Sequence, residues 1–439
     1  MADSRTELYA SQLSQLIQKE TVSGETRADR AKFIEFQGLL RDMFPHIFRK
    51  CEVEYFEGSF LMRWKGTTDS DPVMFMNHHD IVEAPGEWKY PPFSGTVAEG
   101  KLWGRGALDT KNGLWAMLRA ADELCAEDFE PKRDVYFFSG CNEETTGAGA
   151  DNVSRILKNR GIRFHFVLDE GGMMVYDPIG GADGTFALVG LGEKECVELK
   201  FIARSRGGHA ATPGRDTPLV RLGKFMAAVE NSDIFKADIS PVVGEMFARF
   251  ATKMKQPLKG VLGHPRLFKD TIIRSVPGIS EDAEAMLRTT IAFTMAQGSG
   301  GINVLPQEAW VIGDMRCSHH QGSKASIEAI KNLADKFDVD VLVLSRGFAS
   351  PISSHESPAF ELVENAVEKV FPGVITTPYI MTGASDCRFM SRISDNCLRF
   401  APFKITLDQL DAIHGVNENV DVEALAPAVD FYRFMMTNC

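Results

Sequence analysis

Acidic and imidazole side chains follow apolar runs at three places in this sequence, and residues of these types can hold a metal ion. His78 and Asp80 come after "DPVMFMN", Glu143 and Glu144 after "DVYFFSGCN", and Asp169 after "FHFVL". A solvated acidic surface has no reason to recur directly after apolar runs. The recurrence therefore indicates side chains that serve one shared site.

Two other segments add candidates to this set. Asp109 lies in the glycine-rich turn "GRGALDTKNG", and "DAIHGVNENV" supplies His414 near the C-terminus. Each residue alone has an ordinary explanation, because a glycine-flanked Asp is usually a turn former and a strand-end His is usually structural. Together, imidazole and carboxylate donors without thiolate suit Zn²⁺, with Mn²⁺ or Co²⁺ possible. The combination predicts a metal site.

The segments that carry these residues alternate between strand and helix patterns. Two amphipathic helices are predicted from Glu7 to Ile17 and from Asp29 to Met43. Apolar strands and helical segments then alternate as far as "FHFVLDEGG", which predicts a mostly parallel α/β sheet. In open sheets of this kind, the chemistry takes place beyond the carboxyl ends of the strands.

The pattern changes after Glu193. Strand, helix, two strands, helix and strand follow, which is the split βαβ arrangement. We place an inserted α+β, ferredoxin-like domain at residues 193–350, enlarged by the hydrophobic stretch from Ile234 to Leu287. We expect residues 1–192 and 351–439 to form the other domain, which carries the predicted metal site. A chain of 439 residues exceeds the roughly 250 to 300 residues that one core can serve, so two domains are expected.

Composition excludes several classes of protein. The net charge of −12 argues against a nucleic-acid surface, which needs clustered Lys and Arg. No apolar run reaches the roughly 18 residues of a membrane span, and the N-terminus lacks the pattern of a signal peptide. Eight scattered cysteines without a CxxC pair fit reduced thiols. We expect a cytoplasmic protein with neither nucleic-acid nor membrane partners.

Taken in order, the motifs resemble a known family. They are "HHD", "PPFSGTVAEGKLWGRGALDTK", "NEETTGAGA", "VLDEGG", "GGHAATP", "NVLPQEAWVIGDMR", "TGASDCR" and "IHGVNE". The chain resembles, over nearly its whole length, the dinuclear-zinc aminoacylases and carboxypeptidases, which include glutamate carboxypeptidase and carboxypeptidase S. The resemblance implies a parallel-sheet zinc-hydrolase domain whose inserted domain is both a lid and the interface of a homodimer.

The resemblance also implies the ligands of two zinc ions. His78 and Asp169 would hold one ion, Glu144 and His414 the other, and Asp109 would bridge them.

The remaining catalytic roles are implied in the same way. Glu143 would be the general base for a water that bridges the metals. Asp80 would accept a hydrogen bond from the far nitrogen of His78 and fix its tautomer. His209 would stabilise the oxyanion from the inserted domain, in many relatives across the dimer.

Substrate contacts follow from the resemblance as well. Asn303 and Arg316 would project from the inserted domain toward a free carboxylate, which a guanidinium fork suits. The backbone around Gly383 and Ser385 would hold the same end of the substrate. Where many relatives have Pro directly after the His-x-Asp strand, this chain has Glu83, and Thr110 follows Asp109. These departures concern the pocket and leave every expected ligand in place.

The expected reaction is hydrolysis of the amide bond to an amino acid with a free carboxylate. Carboxypeptidase or dipeptidase action on short peptides and deacylation of N-acyl amino acids share this mechanism, and the sequence does not choose between them. An inactive metal-binding protein is the remaining alternative, although such a protein should have lost Glu143 or a ligand.

The doubled histidine leaves a choice of ligand. Alternate residues of a strand share a face, so His78 and Asp80 point the same way and His79 points the opposite way. We therefore expect His78 to be the ligand. The second pair, His319 and His320, lacks a spaced acid and is expected to be solvent exposed.

Overall fold

The structure is a computed structural model that describes residues 4–24 and 29–439. Its helices are, in chain order, α1 Ser4–Ile17, α2 Asp29–Met43, α3 Pro45–Lys50, α4 Lys111–Ala126, α5 Ala148–Asn159, α6 Pro218–Glu230, α7 Pro241–Ala251, α8 Leu258–Leu262, α9 Lys269–Ser275, α10 Glu281–Leu287, α11 Gly322–Ala334, α12 Pro358–Val370, α13 Cys387–Met390, α14 Leu407–Asp411 and α15 Leu425–Asn438. Short 3₁₀ turns occupy Val276–Gly278, Asp335–Phe337 and Val422–Ala424. The two predicted N-terminal helices are confirmed.

The strands are, in chain order, β1 Glu52–Phe56, β2 Ser59–Trp64, β3 Val73–His78, β4 Thr96–Ala98, β5 Lys101–Trp103, β6 Val135–Gly140, β7 Phe166–Tyr176, β8 Thr185–Glu193, β9 Glu195–Arg204, β10 Gly208–His209, β11 Thr290–Gln297, β12 Val304–Leu305, β13 Glu308–Cys317, β14 Asp340–Arg346, β15 Ile375–Met381, β16 Cys397–Ile405 and β17 Asn419–Asp421.

An eight-stranded sheet of order β1-β2-β6-β3-β7-β16-β8-β15 forms the centre of the molecule. The middle strands β6, β3, β7 and β16 are mutually parallel. On either side of them, β2 and β8 run antiparallel to their neighbours β6 and β16. Every residue of β3 and β6 is buried, because helices cover both faces of the sheet. The expected α/β fold with a mostly parallel central sheet is confirmed.

Strand β7 does not end at the acids that follow the apolar run "FHFVL". It continues through Asp169 and Glu170 as far as Tyr176. Its register with β16 shifts after Asp169, since Arg399 pairs with Asp169 but Phe400 pairs with Gly172. A bulge of this kind re-aims a side chain and bends the strand. Beyond it, β7 pairs in antiparallel fashion with β8, so the acids lie at a bend within a longer strand.

The segment after β8 forms a second, four-stranded antiparallel sheet of order β11-β13-β9-β14. Helices α6 and α11 pack on it, around a separate core in which the rings of Phe201 and Phe225 are 4.8 Å apart. This strand order is that of the split βαβ arrangement. The bounds 193–350 remain our proposal for the inserted domain.

Ile234 and Phe235, at the start of the hydrophobic stretch from Ile234 to Leu287, pack in that second core. The rest of the stretch does not enlarge it, contrary to expectation. Its buried side chains on α7 to α10, among them Phe247, belong to the core of the eight-stranded sheet. Phe250 of α7 packs edge-on against Phe186 of β8 at 4.9 Å. Helix α7 therefore covers the β8-β15 side of the catalytic sheet. The sequence revealed that the stretch was apolar, but not which core it would join.

Candidate metal centre

His78 is the last residue of β3 and is buried. Its Nε2 lies 3.0 Å from Oδ1 of Asp109. Its Nδ1 lies 2.9 Å from the backbone carbonyl oxygen of Asp80 and 3.4 Å from Oδ1 of the Asp80 carboxylate. The carbonyl therefore makes the closer contact, whereas we had expected the carboxylate to make it. Either acceptor favours the tautomer that leaves Nε2 free for a ligand.

His79 lies on the other side of the strand, within the core. Its Nδ1 is 2.7 Å from Oγ of Ser139, and its Nε2 is 3.1 Å from the carbonyl oxygen of Gly58. The ring stacks on Phe36 at 5.3 Å. Burial lowers the pKa of His79 to about 3, so the ring is neutral. Its neighbours make His79 a packing residue.

Asp109 lies between two histidines. The turn after β5 carries it, and its peptide bond to Thr110 is cis. Oδ1 of Asp109 faces His78, and Oδ2 lies 3.0 Å from Nε2 of His414. Burial alone would raise the pKa of Asp109, but its hydrogen bonds to the two histidines outweigh burial and hold the pKa below its usual value.

Glu143 and Glu144 lie in the turn that follows β6, so strand alternation no longer separates them. Their backbone N–H groups donate to the two carboxylate oxygens of Asp80, at 3.2 and 3.1 Å. Asp80 thus fixes the glutamate turn with its side chain and the His78 ring with its backbone. Burial is the main cause that raises the pKa of both glutamates.

His414 follows α14 and is about half exposed. Its Nε2 lies 3.0 Å from Oε2 of Glu144, in addition to its contact with Asp109. These two hydrogen bonds raise the pKa of His414 to about 10. Within the described part of the chain, His78, Asp109 and Glu144 form a metal-capable group whose ligand atoms lie within 4.8 Å of one another. His414 adjoins this group on the side away from His78.

Asp169 and Glu170 differ in what their carboxylates contact. Both oxygens of Asp169 accept backbone hydrogen bonds, from Glu170 at 2.9 Å and from Cys387 at 2.8 Å. The Glu170 side chain, which lies in the β7 bulge, has no hydrogen bond to any described residue. Burial, with Asp169 and Asp109 nearby, raises the pKa of Glu170 well above its usual range. Glu170 is therefore the carboxylate left free to bind a cation.

The segment "TGASDCR" contains two residues that the sequence analysis missed. Asp386 is buried, and neither of its carboxylate oxygens has a hydrogen-bond partner among the described residues. Gly140 and Gly147 flank the turn that carries Glu143 and Glu144. A Cβ atom added to Gly140 would lie 2.7 Å from Oδ2 of Asp386, and one added to Gly147 would lie 2.6 Å from Oδ1. Nη1 of Arg388 lies 3.9 Å from Oε1 of Glu143. The presence of an acid and an arginine within this motif was the feature of the sequence from which these two residues could have been predicted.

Gly383 and Ser385, the two substrate contacts expected in the same segment, differ in exposure. Gly383 is exposed, with open space around its Cα. Ser385 is fully buried, and its backbone N–H donates to Oε2 of Glu193 at 2.9 Å. In this conformation the N–H group of Ser385 already has an acceptor, so Gly383 is more available than Ser385 for contact with a substrate.

The three residues of the inserted domain that were expected to serve the site lie at its two ends, His209 and Asn303 at one and Arg316 at the other. His209 and Asn303 are exposed and adjacent, since the N–H of Ala210 donates to the carbonyl oxygen of Asn303 at 2.9 Å. Arg316 lies near the far end of β13, where its guanidinium forks onto Asp314 at 2.9 Å. Strand β13 pairs with all ten residues of β9, a length of about 30 Å. The structure does not bring His209 and Arg316 together within one chain.

The other histidine pair takes no part in this centre. His319 and His320 are exposed at the end of β13, and Nε2 of His320 lies 2.7 Å from the backbone oxygen of Lys236.

Comparison with known proteins identifies the family. The sequence profile of peptidase family M20/M25/M40 matches residues 74–438. The chain belongs to this family. It is 30% identical over 426 residues to the human N-fatty-acyl-amino acid synthase/hydrolase PM20D1, covering 95% of this chain and 84% of the relative. It is 28% identical to the probable carboxypeptidase S-like 2 of Dictyostelium discoideum, covering 99% and 86%.

A solved structure agrees with the M20 assignment at the level of the fold. An M20 family metallo-carboxypeptidase from Sulfolobus solfataricus superposes with a TM-score of 0.70 at 18% identity, and 99% of each chain is covered. The family match and the carboxypeptidase S-like relative identify the protein as an M20 metallopeptidase of the carboxypeptidase S-like kind, as the sequence predicted. Among the described residues of this M20 protein, no helix is long and apolar enough to cross a bilayer.

The residues of the centre fit the metal that M20 enzymes use, which is usually zinc. The donors are two imidazoles and several carboxylates, a set that zinc accepts. Three buried carboxyl groups, those of Glu143, Glu144 and Glu170, have their pKa values raised mainly by burial, and nearby carboxylates contribute. Such a concentration of buried acids is stabilised by cations.

Proposed function

We propose that the protein binds two metal ions, normally Zn²⁺ with Mn²⁺ or Co²⁺ as substitutes, and hydrolyses the amide bond to an amino acid with a free carboxylate. One observation carries the proposal. Asp109 directs one carboxylate oxygen to His78 and the other to His414, which is the placement required of a carboxylate shared by two ions.

The two metal positions follow from this placement. His78 and Asp109 would hold one ion, and Asp109, Glu144 and His414 would hold the other. The resemblance gives Asp169 as the remaining donor at the His78 position. The free carboxylate of Glu170 and its place in the bulge support Glu170 at least as well, with Asp169 holding the turn at Cys387.

Glu143 is the proposed general base. It lies beside the ligand Glu144, and burial raises its pKa, so it can take up a proton and later release it to the leaving amine. Bound metal ions would lower the pKa of water and polarise the scissile carbonyl. Asp80 holds the backbone of Glu143 and Glu144 and thereby the direction of both side chains.

Two substrate classes share this chemistry. Carboxypeptidase or dipeptidase action on short peptides is the main proposal. Hydrolysis of N-acyl amino acids is the second, and it is favoured by the similarity to the human N-fatty-acyl-amino acid synthase/hydrolase. In both classes Arg316 and Gly383 would contact the carboxylate end of the substrate, and Asn303 would contribute across the subunit interface.

We also propose a homodimer formed through the inserted domain. The length of β9 supports it, because the strand separates His209 from the hinge at Glu193 by about 30 Å. His209 would therefore reach the site of the partner subunit. We propose a cytoplasmic location as well. All eight cysteines are unpaired, which supports a reducing compartment.

The test is to purify the protein, count its bound metal ions, and assay a panel of dipeptides against N-acyl amino acids. Glu143→Gln preserves the shape of the side chain but cannot accept the proton, so we expect two metal equivalents to remain and the rate to fall at least about 100-fold. Hydrolysis at an undiminished rate in this variant would rule out Glu143 as the base. A metal content that stays below two equivalents after zinc is added would rule out the dinuclear site.

A further inference from the structure

Glu418 lies four residues after His414, and its carboxylate points at the turn that carries Asp109. The side chain is fully buried. Oε1 accepts hydrogen bonds from the backbone N–H groups of Leu108 at 2.7 Å and Asp109 at 3.1 Å. Oε2 accepts one from the N–H of Gly106 at 3.1 Å. One carboxylate therefore fixes three peptide groups in the segment that ends at Asp109.

Arg105 connects the same carboxylate to the His414 loop. Its guanidinium is buried, and Nη1 donates to Oε2 of Glu418 at 2.6 Å. Nη2 donates to the carbonyl oxygen of Gly415, the residue after His414, at 2.7 Å. The indole of Trp88 covers the guanidinium, with 5.3 Å between the guanidinium carbon and the ring centroid. We call Arg105 and Glu418 the bracket.

The backbone of His414 needs such a support. Its φ is +60°, in the left-handed region that residues other than glycine rarely adopt. Such a conformation persists where the surroundings over-determine it. The hydrogen bond from Arg105 to Gly415 fixes the adjoining peptide group, and so it helps to set the direction in which the His414 imidazole points.

We propose that the bracket sets the separation between Asp109 and His414, and that it thereby determines the affinity for the metal ion at the His414 position. Glu418 and Arg105 are positioning residues, since they act through the two ligands on either side of them. His78 is attached to a different element, β3, and its ring is held by Asp80. Asp109 serves both positions, but the bracket also holds the loop of His414, so it should affect the ion at the His414 position far more than the ion at the His78 position.

A buried ion pair is by itself weak support for a stabilising role. What distinguishes this pair is the set of groups that it joins, all within four residues of Asp109 or directly after His414. Asp134 provides a matched comparison. Its carboxylate also accepts a backbone N–H, from Gly66 at 2.8 Å, and also pairs with an arginine, Arg63, at 2.7 Å. It lies just before β6, at the end of that strand opposite to Glu143.

The inference rests on the proposed dinuclear site, and the experiment separates the two. Zn²⁺ is titrated into metal-free protein, and the affinities of the two successive ions are measured by competition with a chelator. Glu418→Gln keeps the side-chain volume and one acceptor oxygen, but the NH₂ group in place of Oε2 cannot accept from Arg105 or Gly106. We expect the affinity for one ion to fall at least about tenfold and that for the other to stay within about threefold.

Activity gives a second readout. The Zn²⁺ concentration for half-maximal activity should rise in Glu418→Gln, while the rate at saturating Zn²⁺ recovers most of the wild-type value. Asp134→Asn should lower the melting temperature without altering either affinity. If Glu418→Gln does not fold, Arg105→Lys is used, since it keeps the charge pair but cannot reach both Glu418 and Gly415; it should show the same selective loss.

The outcomes distinguish the alternatives. Wild-type affinities for both ions in Glu418→Gln, with a lowered melting temperature like that of Asp134→Asn, would reduce the bracket to a structural feature and overturn the inference. Equal weakening of both ions would also overturn it. A wild-type protein that binds fewer than two Zn²⁺ ions would overturn the dinuclear site itself, and this inference with it.

Discussion

Adjacent residues in this protein have opposite environments because a strand alternates its side chains. His78 faces Asp109 at the edge of the sheet, whereas His79 stacks on Phe36 in the core. The same contrast recurs at Asp169 and Glu170, where a bulge decides which carboxylate remains free. At the residue scale, the function of a side chain depends on its direction and on the hydrogen bonds that already occupy it.

The two histidines should fail in different ways when replaced. His78→Ala should abolish metal-dependent activity and remove the zinc ion at the His78 position, and it should lower the stability of the metal-free protein less than His79→Ala does. His79→Ala should lower stability by about 3 kcal/mol, because it leaves a cavity in the core, and should keep most of the zinc and activity. Zinc content and thermal unfolding of the metal-free forms measure the two effects. Equal loss of zinc in both variants would mean that the assigned strand face is wrong.

The adjacent carboxylates can be compared in the same manner. Glu170→Gln should weaken zinc binding at least about tenfold, since it removes a carboxylate to which no described residue donates a hydrogen bond. Asp169→Asn should act mainly on stability, because its amide cannot accept from both backbone N–H groups. Zinc titration and thermal unfolding on the same samples separate the two. Stronger zinc loss in Asp169→Asn would favour Asp169 as the ligand, as the resemblance implies.

At the scale of elements, turns and loops carry three of the proposed ligands, Asp109, Glu144 and His414, whereas His78 ends strand β3. The glutamate turn is fixed by Asp80, the Asp109 turn by Glu418, and the His414 loop by Arg105. The sheet supplies the rigid edge from which the turns project, and the helices bury its faces. Among these helices, α7 was expected in the inserted domain but packs on β15 and, through Phe250, on Phe186 of β8.

The placement of α7 predicts where its core mutations act. Phe250→Ala should speed amide hydrogen exchange in β8 and β15, because it opens a cavity against Phe186. Phe225→Ala is the matched control, since Phe225 is buried in the second core, and it should speed exchange in β9 and β13. Amide hydrogen exchange monitored by mass spectrometry measures the exchange rates of these strands in both variants. Faster exchange in β9 and β13 caused by Phe250→Ala would place α7 with the inserted domain after all.

At the scale of the whole molecule, the protein has a catalytic sheet and a second sheet joined at Glu193 and Glu195. Lys194 between them is buried and donates to the backbone oxygens of Ala285 and Arg288. This hinge places Arg316 near the catalytic domain and His209 at the far end of the second sheet. The proposed dimer accounts for that separation, because one subunit would complete the site of the other.

Mixed dimers test this arrangement. His209→Ala and Glu143→Gln should each be nearly inactive alone. Co-refolding equal amounts should restore about a quarter of the wild-type activity, since half of the dimers then contain one site with an intact Glu143 and an intact His209 from the partner subunit. Measurement of activity before and after co-refolding shows whether His209 acts in the site of the partner subunit. No recovery, with heterodimers shown to be present, would mean that His209 acts within its own chain.

The sequence by itself determined the parallel α/β class, and it predicted the alternation of side chains at His78 and His79 and most of the candidate metal ligands, although not Glu170. These follow from local chemistry, because hydrophobic periodicity and residue type are properties of short segments. The tertiary structure decided which core α7 joins, which oxygens of Asp169 and Ser385 are already occupied, and how Arg105 and Glu418 join the Asp109 turn to His414. These depend on contacts between segments as many as 313 residues apart, and no local pattern records such contacts.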